Sequence, residues 1–174
     1  MIRAAVVTVS DTCFRGEKKD TSGPAVVEIL SANGFQVDDL RIVPDEQNLI
    51  EEALIAASQL SELVVTTGGT GLAPRDVTPE ATRNVCDRMV DGIAEIMRAD
   101  GLKQTPYASL SRAVCGTRGK SLILNLPGSP RGAITSLTAV LPVLGHALAL
   151  MANMPVDHDA ADPQKLRSKE FERL

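Results

Sequence analysis

The sequence predicts an α/β fold with a mostly parallel central sheet covered by helices on both faces. Short β-branched runs alternate with stretches of helical periodicity along most of the chain. Aromatic residues make up only 2% of the 174 residues and Trp is absent, so the core has to be built from Val, Leu, Ile and Ala. Those are the usual residues of buried parallel strands and their covering helices. The length, with 44% hydrophobic and 23% charged residues, suits one domain with a substantial core.

Residues 3–10 (RAAVVTVS) form the first predicted strand. Residues 11–23 are polar and charged with two glycines, and are expected to be a loop. Pro24 opens a helix over residues 25–33 that Gly34 stops. A second strand covers residues 36–43 and ends at Pro44-Asp45. Over residues 46–60, Leu49, Ile50, Ala53, Leu54 and Ala57 share one helical face. Residues 63–67 make the third strand, and Thr78-Pro79-Glu80 reads as a helix start with Thr at the N-cap. Another helix is expected over residues 92–100. Strands follow at 111–115 and 121–125, joined by residues 116–119, and a long apolar helix spans about residues 132–151. The domain is expected to cover residues 1–152, leaving residues 153–174 as a charged, weakly patterned and loosely ordered tail.

A net charge of -4 argues against a nucleic-acid partner, whose affinity depends on basic contacts to phosphate. The three cysteines are odd in number, widely spaced and without a C-x-x-C, as expected of a reduced cytosolic protein. Met1-Ile2-Arg3 leads straight into a strand-like run with no signal-peptide pattern, and no apolar stretch is expected to reach the length of a membrane span. The expectation is a cytoplasmic protein with no membrane partner.

Ligands of parallel α/β sheets bind beyond the carboxyl ends of the strands. Asp11, Asp45, residues 68–76 and residues 125–129 all follow predicted strands and can converge on one edge. Gly68-Gly69-Thr70-Gly71 puts three glycines in four residues, more than a strand-exit turn needs, so the backbone can approach an anion. Arg75 and Asp76 add a cation and a possible magnesium ligand. Two common nucleotide motifs fail. Pro74 occupies the third glycine of a G-x-G-x-x-G, and Val114 stands where a P-loop ending in Gly119-Lys120-Ser121 requires glycine. Asp76 fits a helix-capping or a metal-ligand role equally by spacing, whereas Asp45, taken alone, reads first as a cap of the helix that starts at Glu46. Lys18, Lys19 and Asp20 read as a solvated charge cluster. With only His146 and His158 present, a Ser-His-Asp triad or a His-based metal site is hard to build.

Several segments occur together in one order. They are Thr8-Val9-Ser10-Asp11, Asp20-Thr21-Ser22-Gly23-Pro24, Pro44-Asp45-Glu46, Thr66-Thr67-Gly68-Gly69-Thr70-Gly71, Pro74-Arg75-Asp76-Val77-Thr78-Pro79-Glu80-Ala81-Thr82, Leu110-Ser111-Arg112 and Asn125-Leu126-Pro127-Gly128. On these the chain resembles the molybdopterin adenylyltransferases of the MogA type and the G domain of gephyrin, over about residues 3–151. The resemblance implies a three-layer α/β/α sandwich assembled as a homotrimer. It also implies transfer of AMP from Mg-ATP to the terminal phosphate of molybdopterin, and hand-over of the product to a separate insertase of the MoeA type. By the same resemblance Asp45 and Asp76 are the essential carboxylates holding Mg2+. Gly68, Gly69, Thr70 and Gly71 form the nucleotide-side loop, while Ser10, Asp11, Asn125, Pro127 and Gly128 line the nucleotide pocket. Ser111 and Arg112 lie on the molybdopterin side. Residues 87–92 depart from the family's usual acidic-x-Pro-Gly approach to the next helix. The alternatives are the related MoaB group, a trimeric scaffold without turnover, and the similarly folded CinA domain, whose glycine-rich and acidic pattern differs.

Overall fold

The computed structural model describes residues 2–154. Six strands form one sheet: β1 (Ile2–Val9), β2 (Phe35–Val43), β3 (Leu63–Thr67), β4 (Arg88–Met89), β5 (Cys115–Arg118) and β6 (Ser121–Leu126), in the order β2-β1-β3-β6-β5-β4. The four strands β2, β1, β3 and β6 are parallel, whereas β5 runs antiparallel to both β6 and β4. The helices are α1 (Asp11–Phe14), α2 (Ser22–Ala32), α3 (Gln47–Leu60), α4 (Thr78–Val85), α5 (Asp91–Leu102) and α6 (Pro130–Met151). A short 3-10 helix covers Pro106–Leu110.

The alternation of side chains along each strand sorts the core into two layers. Ala4 and Val6 of β1, with Leu63 and Val65 of β3 and Leu122 and Leu124 of β6, pack against α2, α5 and α6. Ala5, Val7 and Val9, with Val64 and Ile123, pack against Ile50, Ala53, Leu54 and Ala57 of α3 and against Ala81 and Val85 of α4. Helices therefore cover both faces, giving three layers. The chain leaves β1 toward β2 by way of α2 on one face, then returns across β1 to β3 by way of α3 on the other. The boundary between β1 and β3 is thus the switch point of the sheet, and a crevice opens beyond the strand ends there.

Five expectations are corrected. The segment 11–23 is not all loop: the Ser10 side chain accepts the N–H of Cys13 and caps α1. Asp20 accepts the N–H groups of Ser22 and Gly23, so α2 starts before Pro24. Residues 111–114 lie outside the regular ladder: Arg112 N–H donates to the Thr70 carbonyl, the Val114 carbonyl accepts the N–H of Asn125, and the strand begins at Cys115. Its link to β6 is a tight turn with Gly119 at φ 54°. Arg88–Met89, which the sequence does not predict as a strand, forms the edge strand β4 ahead of α5. Finally, α6 is 22 residues long with a mean hydropathy of 1.8 over an 18-residue window, enough by length and composition to cross a membrane. One of its faces, through Ala133, Leu137, Val140, Leu144 and Leu148, instead packs on the sheet. Asn153 and Met154 close α6 with N–H bonds to the carbonyls of Leu150 and Ala149. The rest of the expected tail lies outside the described residues.

Candidate functional site

The carboxyl ends of β1, β3 and β6 bring Ser10, the glycine-rich loop and Pro127-Gly128 to one edge. Gly68 and Gly69 are both left-handed, at φ 96° and 63°, and neither tolerates a side chain. A Cβ on Gly68 would stand 2.2 Å from the Val9 carbonyl oxygen, and one on Gly69 would stand 2.2 Å from Thr78 Oγ1. Thr78, expected as an N-cap, is the first residue of α4, and its hydroxyl donates to the Gly68 carbonyl at 2.9 Å. The loop therefore lies against the end of β1, with Gly68 N–H bonded to the Leu126 carbonyl of β6 and Thr78 of α4 bonded to the Gly68 carbonyl.

Asp45 and Asp76 border this loop. A Cβ on Gly69 would lie 3.3 Å from Asp45 Oδ1, and one on Gly71 would lie 2.8 Å from Asp76 Oδ2. Neither aspartate caps a helix: α3 and α4 have no side-chain cap bond. Asp45 Oδ2 instead accepts the N–H of Asp11 at 2.7 Å, and Asp11 Oδ1 accepts the N–H of Asp45 at 3.1 Å. Asp76 Oδ2 accepts the N–H of Ala73 at 2.9 Å. Each of the two carboxylates keeps its other oxygen without a hydrogen bond among the described residues. Burial pushes the Asp45 carboxyl above the usual aspartate range; the Asp11 N–H opposes this, while the charges of Asp11 and Asp76 reinforce it. Asp11 is shifted the other way, because Arg75 Nε and Nη2 grip its carboxylate at 2.6 and 2.9 Å. No group of three or more potential His, Cys, Asp or Glu ligands occurs among the described residues. Two hard carboxylate oxygens beside the glycine loop nevertheless suit magnesium, which takes one or two carboxylates and completes its shell with phosphate and water.

Two cavities open at this edge, of about 670 Å³ and 350 Å³. The larger lies between the glycine loop, α5, the 3-10 helix and the start of α6, with Ser111, Tyr107, Arg98 and Arg131 on its wall. The smaller is lined by Ser10, Asp45, Gly68 and, from the segment before α2, Lys18 and Lys19. Gly69, Asp76, Gly128 and Ser129 belong to both walls.

Three residues expected at the site do something else in this structure. Asn125 is fully buried, donating to Thr66 Oγ1 at 3.1 Å and Thr82 Oγ1 at 2.9 Å, and it borders neither cavity. Arg112 points into the loop: its Nε donates to the Gly71 carbonyl at 2.7 Å, and its guanidinium also bonds the Asp76 carbonyl and Glu80. Asp11 is held by Arg75 and also borders neither cavity. Lys18 and Lys19, read from sequence as solvated, line the smaller cavity. The clue to that was Asp20, whose position before Ser22-Gly23-Pro24 lets it fasten the segment.

Comparison with known proteins identifies the family of the chain. The model of the family described as the probable molybdopterin binding domain matches residues 5–146. The chain is 41% identical to the molybdopterin adenylyltransferase of Helicobacter pylori, over 97% of this chain and 98% of that protein. It is 39% identical to the molybdopterin adenylyltransferase of Escherichia coli, over 88% of this chain and 82% of that protein. The crystal structure of the molybdopterin biosynthesis enzyme MoaB from Thermus thermophilus superposes with a TM-score of 0.84 at 53% identity, covering 90% of this chain and all of that one. By family match, identity and fold together, the chain belongs to the probable molybdopterin binding domain family of molybdenum cofactor biosynthesis.

Proposed function

We propose that this chain is a molybdopterin adenylyltransferase that joins the phosphate of molybdopterin to the α-phosphorus of ATP and releases pyrophosphate. The observation that carries this reading is the pair of cavities that meet at Gly69, Asp76, Gly128 and Ser129. Two ligands seated side by side would bring their phosphates together at that wall, beside the glycine loop. The relatives named as molybdopterin adenylyltransferases support the choice of substrates.

The attacking phosphate is already ionised, so the reaction needs alignment and charge neutralisation more than a general base. The N–H groups of Gly69, Gly128 and Ser129, which have no hydrogen-bond acceptor among the described residues, would supply donors at the wall shared by the cavities. Asp45 and Asp76 would hold Mg2+ through their unbonded oxygens. When bound, that ion offsets the charge of the transferring phosphate. Ser111 on the larger cavity would contact the pterin ligand. Arg112 would act by fixing the loop, since its donors are committed to Gly71, Asp76 and Glu80.

A homotrimer is the assembly the family resemblance implies, and Val143 and Leu150, exposed on one side of α6, are apolar surface that a subunit contact would cover. Adenylyl-molybdopterin would pass to a separate insertase of the MoeA type. The assay is direct: purified protein with molybdopterin and Mg-ATP releases pyrophosphate only when the pterin is present. Binding of molybdopterin without release would leave a scaffold, and ATP hydrolysis without pterin would indicate a hydrolase.

A further inference from the structure

The segment between α1 and α2 carries charge that the family match leaves without a role. It is fastened at both ends. Glu17 and Lys18 donate their N–H groups to the Thr12 carbonyl at 2.9 and 3.2 Å. Asp20 accepts the hydroxyl of Thr8 at 2.7 Å on one oxygen and the N–H groups of Ser22 and Gly23 at 3.0 and 3.1 Å on the other. Gly23 has to be glycine for this, since a Cβ there would stand 2.4 Å from Asp20 Oδ2. A fixed backbone therefore presents Lys18 and Lys19 to the smaller cavity.

Neither ammonium has a hydrogen-bond or ion-pair partner among the described residues, whereas nearby Arg15 pairs with Glu17 and Arg75 with Asp11. They are the cationic side chains on the wall of this cavity, and Asp45 and Asp76 lie on the same wall. Asp20 also lines the recess but is occupied by Thr8, Ser22 and Gly23, so two unneutralised cations and the open oxygens of Asp45 and Asp76 are left to complement a metal-bound polyphosphate, which offers both a metal and excess negative charge.

Direction narrows the choice of phosphates. Adenylyl transfer forms a bond from a molybdopterin phosphate oxygen to Pα. The bond from Pα to the bridging oxygen of Pβ breaks, and its electron pair leaves on pyrophosphate. Attack and departure lie roughly in line. With the pterin in the larger cavity and Pα at the shared wall, the leaving group exits into the smaller one. We propose that Lys18 and Lys19 form the seat of the β- and γ-phosphates and of the departing pyrophosphate, an assignment that rests on the adenylyl-transfer reading.

The test uses the purified full chain, inorganic pyrophosphate with Mg2+ as probe, and AMP as the control ligand, with calorimetry as the readout. Lys18→Ala/Lys19→Ala is expected to weaken pyrophosphate binding by about tenfold or more. AMP affinity and the KM for molybdopterin should stay within about twofold of wild type. The charge-preserving Lys18→Arg/Lys19→Arg variant should restore most of the pyrophosphate affinity. Equal losses for pyrophosphate and AMP, unchanged pyrophosphate affinity in the Ala variant, or no pyrophosphate binding by the wild type would overturn the seat. If wild type transfers AMP to molybdopterin while the Ala variant binds pyrophosphate normally, only this assignment fails. If wild type transfers nothing, the adenylyl-transfer reading itself fails.

Discussion

Asp45 and Asp76 share a glycine loop but differ in how they are held, and that difference predicts different consequences of substitution. Asp76→Asn keeps an oxygen to accept the Ala73 N–H, so the loop should survive while a carboxylate charge is lost. Transfer activity should fall by at least about a hundredfold with unchanged unfolding temperature, checked by pyrophosphate release and thermal denaturation. Asp45 binds its proton more tightly in the fold than in the unfolded chain. Its ionised form therefore costs stability above the folded pKa, and that cost is relieved as pH falls through it. Asp45→Asn should accordingly be inactive yet melt higher than wild type at neutral pH, with the difference shrinking on acidification. A variant that melts lower at pH 7 and shows no such convergence would contradict the burial argument. Magnesium-dependent nucleotide binding should also weaken on acidification from a higher pH than an ordinary aspartate would give. Titrating Mg-ATP affinity between neutral and acid pH measures this.

At the scale of elements, the glycine loop is a part with fasteners. Arg112 grips the carbonyls of Gly71 and Asp76 while Thr78 holds that of Gly68. Removing the guanidinium leaves those acceptors without a charged donor, a loss of about 2 kcal/mol. Arg112→Ala should lower stability in urea by that amount and also cut activity, and Arg112→Lys should recover little of either because lysine lacks the fork. This role was hidden in the sequence: Ser111-Arg112 beside a phosphate ligand suggests a contact to it, and the carbonyls that Arg112 serves converge only when the loop is folded. Asn125 offered a better clue, since it lies within the apolar run Ser121–Leu126 of a strand buried on both faces. By contrast, β1, β3 and α3 were legible because their hydrophobic periods are unbroken. The two-residue β4 carries no period at all, and β5 starts later than its strand-like residues suggest because Arg112 turns its N–H to the loop and Val114 shares its bonds with the Asn125 side chain.

For the whole molecule, sheet topology does what spacing in the sequence could only suggest. Crossing from β1 to β2 on one face and from β2 to β3 on the other places Ser10, Asp45, Gly68 and Gly128 around one crevice. The expectation that several strand exits converge was legible from the alternation of strands and helices alone. The division of the crevice into two cavities was not, because its larger half is walled by α5, the 3-10 helix and α6, which lie far apart in the chain. The exposed apolar side of α6 belongs to this scale too. A trimer is expected by light scattering, and Val143→Glu/Leu150→Glu should break it while leaving the circular dichroism of the fold intact.

Pterin-dependent pyrophosphate release tests the central claim most directly. Purified wild-type protein should release pyrophosphate and form adenylyl-molybdopterin when given both molybdopterin and Mg-ATP, and release none when either is withheld. Pyrophosphate release that is the same with and without molybdopterin, or none with both present, would contradict it.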